Sequence, residues 1–167
     1  MSRGELLRRA ERDQRVRAAA SGPGGRVTLW RGLRGIWTDR RNTRWLARLV
    51  RRDGWPGIAA VGADGAHAAW LLAQHADRLP DVQRMFLEAM REAVERGDAE
   101  RKDLAYLEDR VRVNAGRPQL YGTQYGMTET GFGPRTIEDP ERLDERRAAA
   151  GLGPMAEYDA HMRRLAG

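Results

Sequence analysis

The sequence predicts a mainly α-helical single domain, 1–167, with a short β-hairpin or ordered loop around residues 118–137. Its length of 167 residues suits one compact domain. Apolar side chains recur every three or four residues in several segments, as they do along one face of a helix. Proline and glycine separate these segments, so we expect a bundle of short helices.

The N-terminal part is predicted to hold two helices. Residues at helical spacing mark the first one: Leu6, Leu7, Ala10, Asp13 and Arg17. A glycine-rich loop over 21–25 follows it. Asp39 is expected to be the N-cap of the second helix, which should end at Gly54. The stretch 26–37 between them carries two glycines and favours no single assignment.

Six further elements are predicted in the rest of the chain. Helices are expected over 66–77, 81–96 and 98–114, each ended by proline or glycine. From 117 to 136, glycines and prolines interleave with aromatic residues, which is typical of a hairpin or an ordered loop. Two more helices are expected to begin at Asp139 and Pro154.

Composition excludes several classes of protein. The sequence has no cysteine, which rules out disulfides, thiol catalysis and zinc sites built on sulfur. Its longest strongly apolar run, 68–73, is far shorter than the roughly 20 residues of a membrane helix. The N-terminus lacks the apolar region of a signal peptide. We therefore expect a cytoplasmic protein with no membrane partner.

Positive charge is concentrated at the N-terminal end. All but one of the 30 basic residues are arginine, which points to a high-GC genome and weakens the overall charge of +6 as a functional sign. Residues 1–52 nevertheless carry a net +11, whereas 53–167 carry −5. A basic surface of this kind suits an acidic partner or an anionic substrate. The alternative is an arginine-rich helix face that is simply solvated.

His75 is the first candidate for chemistry. It follows Leu71 and Leu72 by one turn, so its ring should lie on or beside the buried face of a helix. A neutral imidazole near physiological pH is a competent general base. Gln74 and Asp77 are spaced to share a neighbouring face. The alternative is a structural histidine that donates to a backbone carbonyl.

Asp109 is the second candidate. Its spacing from Ala105, Tyr106 and Val113 draws it toward the apolar side of a helix, while Glu108 is expected nearer to solvent. A buried carboxylate requires a partner, for which His75 or an arginine would serve. A structural pair of Asp109 with an arginine is an equal alternative.

A polar segment, 118–125, follows that helix. It places two carboxamides, two phenols and a hydroxyl around Gly122, which permits close backbone approach. Such side chains offer donors and acceptors to a small polar ligand without adding charge.

Together these motifs resemble a bacterial family known only as a domain of unknown function, DUF6624. The resemblance rests on Gln74-His75-Ala76-Asp77 combined with Tyr121-Gly122-Thr123-Gln124. It extends over nearly the whole chain through further motifs: Asp13, Asp39 with Asn42, Gly54-Trp55-Pro56, Gln83, Ala105-Tyr106-Leu107, Asp109-Arg110-Val111, Pro118-Gln119, Arg146-Arg147 and Gly151-Leu152. Glu108 departs from it, because a threonine or another small polar residue is expected there. The resemblance implies a site and names no activity.

Other catalytic chemistries find little support in the sequence. His67 and His75 are eight residues apart, about 12 Å along a helix, and cannot chelate one ion together. There is no paired-histidine or phosphate-loop motif, and the only serines are Ser2 and Ser21. We therefore expect no metal and no cofactor.

The sequence thus favours a cofactor-independent acid/base enzyme of the lyase, isomerase or hydrolase type. Its substrate would be a small polar or anionic metabolite. The predicted catalytic residues are His75, Asp77 and Asp109, meeting in one pocket. The predicted substrate-binding residues are Gln74, Gln83, Arg110, Gln119, Tyr121, Thr123 and Gln124.

The alternative is a non-catalytic interaction module that uses the arginine-rich N-terminal surface. A nucleic-acid partner is the least favoured interpretation. Its only local support is Trp30 and Trp37 flanked by Arg31 and Arg34. We leave open a homodimer, and whether the Trp30 to Trp37 stretch belongs to a lid or to the core.

Overall fold

The computed structural model describes residues 2–20 and 29–166, with side chains for 2–19 and 36–166. Over these residues the chain forms seven α-helices and one β-hairpin, so the prediction of a mainly α fold is confirmed. The helices are α1 (Arg3–Ala20), α2 (Leu29–Asp53), α3 (Ile58–Gln74), α4 (Pro80–Glu95), α5 (Arg101–Asn114), α6 (Leu143–Ala149) and α7 (Met155–Ala166). The strands are β1 (Tyr125–Thr128) and β2 (Gly131–Pro134). The predicted loop over 21–25 and the side chains of Trp30, Arg31 and Arg34 lie outside the described residues.

The chain divides into two compact units. The N-terminal unit is Met1–Ala99 and the C-terminal unit is Glu100–Gly167. That the chain forms one domain stays a prediction, and each unit is described by itself below.

The N-terminal unit is a helical bundle. Within it, α1 packs against α2 and α3, and α4 packs against α2 and α3. Each helix contributes side chains that are at most 2% exposed: Leu6, Leu46, Leu72, Phe86 and Met90. The three- and four-residue spacing seen in the sequence therefore marks the buried faces correctly.

Two helices of this unit begin earlier than the sequence predicted. α3 begins at Ile58 instead of 66 and contains a break at Gly62, whose φ of 75° is left-handed. The backbone N–H of Ile58 and that of Ala59 donate to the carbonyl and the carboxylate of Asp98, which satisfies the first turn of the helix.

Asp39 is not the N-cap that the sequence predicted. α2 begins ten residues earlier, at Leu29, and Asp39 lies within it. Helix propensity is a weak local preference, so Gly32 and Gly35 did not stop the helix. Because Asp39 does not cap its own helix, its carboxylate can contact side chains of other helices.

The C-terminal unit combines the hairpin with three α-helices. β1 and β2 pair antiparallel, with Tyr125 opposite Pro134 and Thr128 opposite Gly131. An isolated parallel bridge joins Gln119 to Ile137, and α7 packs against β2. The hairpin predicted around 118–137 is thus present, preceded by an ordered loop over 119–124.

The described helices differ from membrane-spanning helices in length and hydropathy. Over residues 2–20 and 29–166, every helix is too short or too polar to cross a membrane.

Candidate functional site

Four charged or titratable side chains meet within the N-terminal unit. We call them the His75 cluster: Asp13 and Arg17 of α1, Asp39 of α2, and His75 at the C-cap of α3. Asp13 and Arg17 are one turn apart on α1 and therefore face the same side of that helix. The packing of α1 against both α2 and α3 brings the four groups together.

His75 and Asp13 form the centre of the cluster. Nδ1 of His75 lies 2.6 Å from Oδ2 of Asp13. A ring nitrogen without a proton would point its lone pair at the carboxylate, which is repulsive, so Nδ1 carries the proton and donates it to Asp13. Nε2 has no hydrogen-bond partner among the described residues. It is therefore the nitrogen that can exchange a proton with another molecule.

Arg17 connects the two carboxylates. Its Nε lies 3.1 Å from Oδ2 of Asp13, and its second terminal nitrogen lies 2.9 Å from Oδ1 of Asp39. The same Nε is 3.0 Å from Nδ1 of His75. Since a protonated Nδ1 cannot accept, the Arg17 N–H is donated to Asp13. Asp13 thus receives two donors on one oxygen.

These contacts set the pKa of Asp13. Burial acts to raise the pKa of this carboxyl, which is 1% exposed. The hydrogen bond from His75 and the charges of His75 and Arg17 act in the opposite direction and together lower the pKa below its ordinary value. Asp13 is therefore held as a carboxylate.

Asp39 shifts in the other direction. Burial raises the pKa of Asp39, and the negative charges of Asp13 and Asp77 add to this effect. The charges of Arg17 and His75 lower the pKa but do not outweigh burial. Two carboxylates that share one arginine therefore have pKa values displaced in opposite directions, an arrangement often found at catalytic sites.

Exposure increases stepwise from Asp13 outward. The side chain of Asp13 is 1% exposed, that of His75 is 15%, that of Asp39 is 20% and that of Arg17 is 37%. The imidazole is thus oriented from a buried side and remains partly open to solvent.

Gln83 connects the end of α3 to α4. Its amide nitrogen lies 3.1 Å from the Ala73 carbonyl, 3.2 Å from the Gln74 carbonyl and 3.2 Å from Oδ1 of Asp77. Gln83 is 1% exposed, and it satisfies carbonyls that the last turn of a helix leaves open. It therefore fixes the segment that carries His75.

In the C-terminal unit, Asp109 binds the polar loop. Its two carboxylate oxygens accept the backbone N–H groups of Leu120, Tyr121 and Thr123 at 2.6 to 3.2 Å. They also accept the Thr123 hydroxyl at 2.9 Å. Asp109 is fully buried, and burial raises its pKa although these hydrogen bonds act to lower it. Within this unit Asp109 anchors the loop.

The other polar side chains of the loop are also hydrogen-bonded. Gln119 donates to the carbonyls of Gln124 and Arg135 and accepts the Gln124 N–H. Gln124 accepts from Arg110 at 3.1 Å and donates to the Thr123 hydroxyl at 3.0 Å. The loop is therefore rigid, and most of its polar groups hold its own conformation.

Two arginines of α6 complete the support of the loop. Arg146 donates to the Leu120 carbonyl at 2.9 Å, and Arg147 donates to the Tyr121 carbonyl at 2.6 Å. Arg147 is 2% exposed and also lies 5.0 Å from the ring centre of Tyr158. Consecutive arginines thus bind consecutive carbonyls.

The structure distributes the predicted site residues between the two units. Gln74, His75, Asp77 and Gln83 lie in the N-terminal unit, and Asp109, Arg110 and the loop residues lie in the C-terminal unit. Asp13 hydrogen-bonds His75, whereas the carboxylates predicted to meet His75 were those of Asp77 and Asp109. The meeting of His75 with Asp109 in one pocket stays a prediction.

Sequence reasoning gave no chemical role in a site to Asp13, Arg17 or Asp39. A signal did exist for Asp13, because it falls at apolar spacing from Leu6 and Ala10 on α1. Glu108 was expected nearer to solvent than Asp109; it is 8% exposed against 0% for Asp109, so both side chains are buried.

The positions of the acidic and histidine side chains bear on metal binding. Among residues 2–20 and 29–166, no three histidine, aspartate or glutamate side chains are arranged to hold one ion. The His75 cluster contains an arginine, which can only donate hydrogen bonds and cannot ligate a metal. The composition of the cluster therefore suits proton transfer and ion pairing.

Comparison with known proteins identifies the family. Neither the curated proteins nor the solved structures gave a match. A family model described as "Family of unknown function (DUF6624)" matches residues 2–166, which is almost the entire chain. The chain therefore belongs to the DUF6624 family.

Proposed function

We propose that this protein is an acid/base enzyme that needs no cofactor and acts on a small polar or anionic metabolite, with His75 as the proton carrier. The observation that carries the proposal is the 2.6 Å contact between Nδ1 of His75 and the buried carboxylate of Asp13. An imidazole held in one tautomer by a buried carboxylate is a recurrent arrangement for general bases.

The proton would move through Nε2. This nitrogen takes a proton from the substrate, whose bonding electrons stay on the substrate, and it later returns the proton to the product. Asp13 orients the ring and stabilises the imidazolium that forms. Proton transfer of this kind contributes about 10² to 10⁴ in rate.

Arg17 and Asp39 are proposed as positioning residues. Arg17 contacts Asp13 and Asp39 at the same time, which restrains the Asp13 carboxylate against the ring. This cluster is the reason for preferring catalysis to a structural histidine, which would require only one acceptor.

The substrate class follows from charge. The N-terminal residues 1–52 carry a net +11, which favours carboxylated or phosphorylated substrates. We retain Gln74, Gln83, Arg110 and the loop residues Gln119, Tyr121, Thr123 and Gln124 as proposed substrate-positioning residues, and Asp77 and Asp109 as proposed partners in proton transfer.

The test follows proton transfer in a mixture of candidate substrates. The protein is incubated in D₂O with small carboxylated and phosphorylated metabolites, and their proton NMR spectra are recorded over time. We expect at least one metabolite to lose a carbon-bound proton signal or to be converted. His75→Gln should abolish this change, whereas the exposed His67→Gln on the same helix should not.

Melting temperature separates the two principal interpretations. An enzyme should lose turnover on His75→Gln while its melting temperature stays within a few degrees. Full conversion by His75→Gln would contradict the proposal. So would a set of metabolites left unchanged by the wild type together with a large drop in melting temperature.

A non-catalytic module is the second candidate, and one observation favours it. The exposed side chains of Arg40, Arg44 and Arg48 on α2 have no carboxylate partner among the described residues. Such a row could bind an acidic partner protein. Loss of that binding on Arg44→Glu, with no metabolite turned over by the wild type, would favour this function.

A further inference from the structure

A groove between α1 and α2 lies outside the His75 cluster. Its volume is about 680 Å³, and none of the four cluster residues lines it. Its lining includes Arg9, Arg12, Trp37, Arg41 and Asn42. The groove belongs entirely to the N-terminal unit.

The groove has an excess of positive charge. Two acidic residues line it, Glu5 and Glu11, and both are engaged by arginines of their own helix. Arg12 and Arg41 have no ion-pair partner among the described residues. Guanidinium groups in this state suit the oxygens of a phosphate or carboxylate.

Asn42 supplies an observation that points directly to a ligand. This side chain is 5% exposed, and its amide nitrogen has no hydrogen-bond partner within the described part of the chain. The orientation of the amide is fixed, because its oxygen lies 3.2 Å from an Arg9 nitrogen and a guanidinium can only donate. This nitrogen exposes less than 1 Å². A buried donor without an acceptor is costly, so we infer that the side chain shifts toward the groove when a ligand oxygen can accept from it.

Trp37 adds an aromatic surface at the edge of the groove. It lines the groove and is 75% exposed, which is unusual for the largest apolar side chain. An exposed indole beside arginines offers a face on which a planar ring can stack.

We propose that this groove is a binding site for a small oxyanion that carries a planar ring, with Asn42 donating to the anion, Arg12 and Arg41 neutralising it and Trp37 stacking on the ring. A phosphorylated aromatic or heterocyclic metabolite has this chemistry. The site goes beyond the proton transfer proposed for His75 and does not depend on it.

Calorimetry and NMR titration with three probes test the site. Inorganic phosphate presents the anion alone, adenosine the ring alone and adenosine monophosphate both. We expect the monophosphate to bind most tightly, phosphate to bind at about millimolar affinity and adenosine to bind least. Binding should shift the Asn42 side-chain amide resonances.

Asn42→Asp is the decisive variant. It keeps the oxygen that accepts from Arg9 and replaces the free donor by a negative oxygen, so the fold is retained while anion binding is lost. We expect the affinity for the monophosphate to fall at least about tenfold. Asn42→Ala, which adds no charge, should weaken binding in the same direction.

Matched substitutions separate a built site from a diffuse basic surface. Arg41→Ala should lower the affinity for both anionic probes. Arg51→Ala removes the same charge from the same helix outside the groove, and it should leave both affinities unchanged. Trp37→Ala should lower the affinity for adenosine monophosphate by about fivefold or more and leave the affinity for phosphate unchanged.

Several results would overturn the proposal. An unchanged affinity of Asn42→Asp for the monophosphate would show that the Asn42 amide does not donate to the ligand. Equal losses from Arg41→Ala and Arg51→Ala would indicate diffuse electrostatics. Binding of a single-stranded oligonucleotide without binding of either small anion would assign the surface to a polyanion instead. These outcomes leave the test of His75 unaffected.

Discussion

Asp13 and Asp39 contact the same arginine, yet their environments displace their pKa values in opposite directions. The charge of Asp13 is compensated by His75 and Arg17 together. Among the described side chains Asp39 accepts a hydrogen bond from Arg17 alone, and the negative charge of Asp13 raises the pKa of Asp39. Because the two pKa values move in opposite directions, the two carboxyls make the free energy of unfolding depend on pH in opposite ways. Substituting each residue alone separates the two effects.

Asp13→Asn should destabilise the protein at neutral pH. The lowered pKa of Asp13 means that its carboxylate contributes stability above its unfolded pKa of about 3.9, and that this contribution is lost as pH falls through the folded pKa. We expect a loss of about 1–3 kcal/mol in the free energy of unfolding at pH 7. The difference from wild type, measured by urea denaturation, should shrink in acid. An equal loss at pH 7 and pH 3 would contradict this.

Asp39→Asn should have the opposite effect. A raised pKa means that the stability contributed by Asp39 is fully present below its unfolded pKa and is lost as pH rises through the folded pKa. The neutral amide can still accept from Arg17. We therefore expect a higher melting temperature than wild type at pH 7 and no difference near pH 3. A lower melting temperature at pH 7 would show that the ion pair with Arg17 outweighs burial.

Sequence reasoning at this scale identified the half-buried His75 and missed its partners. His75 followed two leucines by one turn, which is a local signal that spacing can detect. Asp13 lies 62 residues away in the chain, and its contact arises only when α1 packs on α3. Spacing indicates which face a residue shares, but not which helix covers that face.

At the scale of elements, the rigid loop of the C-terminal unit depends on Asp109. Asp109→Asn places an amide among backbone N–H donors, leaving buried donors without acceptors. We expect a loss of about 2–4 kcal/mol, because several hydrogen bonds to a charged group are affected. Hydrogen exchange of the Leu120, Tyr121 and Thr123 amides should accelerate. Asp144→Asn is the control, since Asp144 accepts one backbone N–H at an exposed position.

Gly122 provides a second test of the loop. Its φ is 70°, and a Cβ there would lie 2.8 Å from the Met155 sulfur. Gly116 has a φ of 71° with nothing within 4 Å, so Gly116→Ala bears only the backbone cost of about 1 kcal/mol. Gly122→Ala should cost about 1–3 kcal/mol more in thermal unfolding. Equal effects would show that Met155 adapts freely.

Helix positions were predicted well where apolar stripes were strong and less well where glycine interrupted them. α4, expected over 81–96, is observed over Pro80–Glu95. α2 and α3 each extend further toward the N-terminus than predicted, past Gly35 and Gly62. The helix continues through Gly35 in spite of the low helix propensity of glycine, whereas at Gly62 it continues only across a break in the backbone.

At the scale of the whole molecule, the mainly helical composition and the family resemblance could both be predicted from sequence. The division into two compact units could not, because 98–101 carries no proline or glycine linker that separates them. The charge contrast between 1–52 and the remainder was visible in the sequence. The structure shows which arginines on that basic part lack partners.

The central claim is that Asp13 holds His75 with a proton on Nδ1 and leaves Nε2 to exchange protons. Nitrogen-15 NMR of labelled imidazole in wild type and Asp13→Asn tests it most directly. We predict a low-field Nδ1–H resonance in the wild type that is lost in Asp13→Asn. A neutral ring with its proton on Nε2 in the wild type would contradict the account.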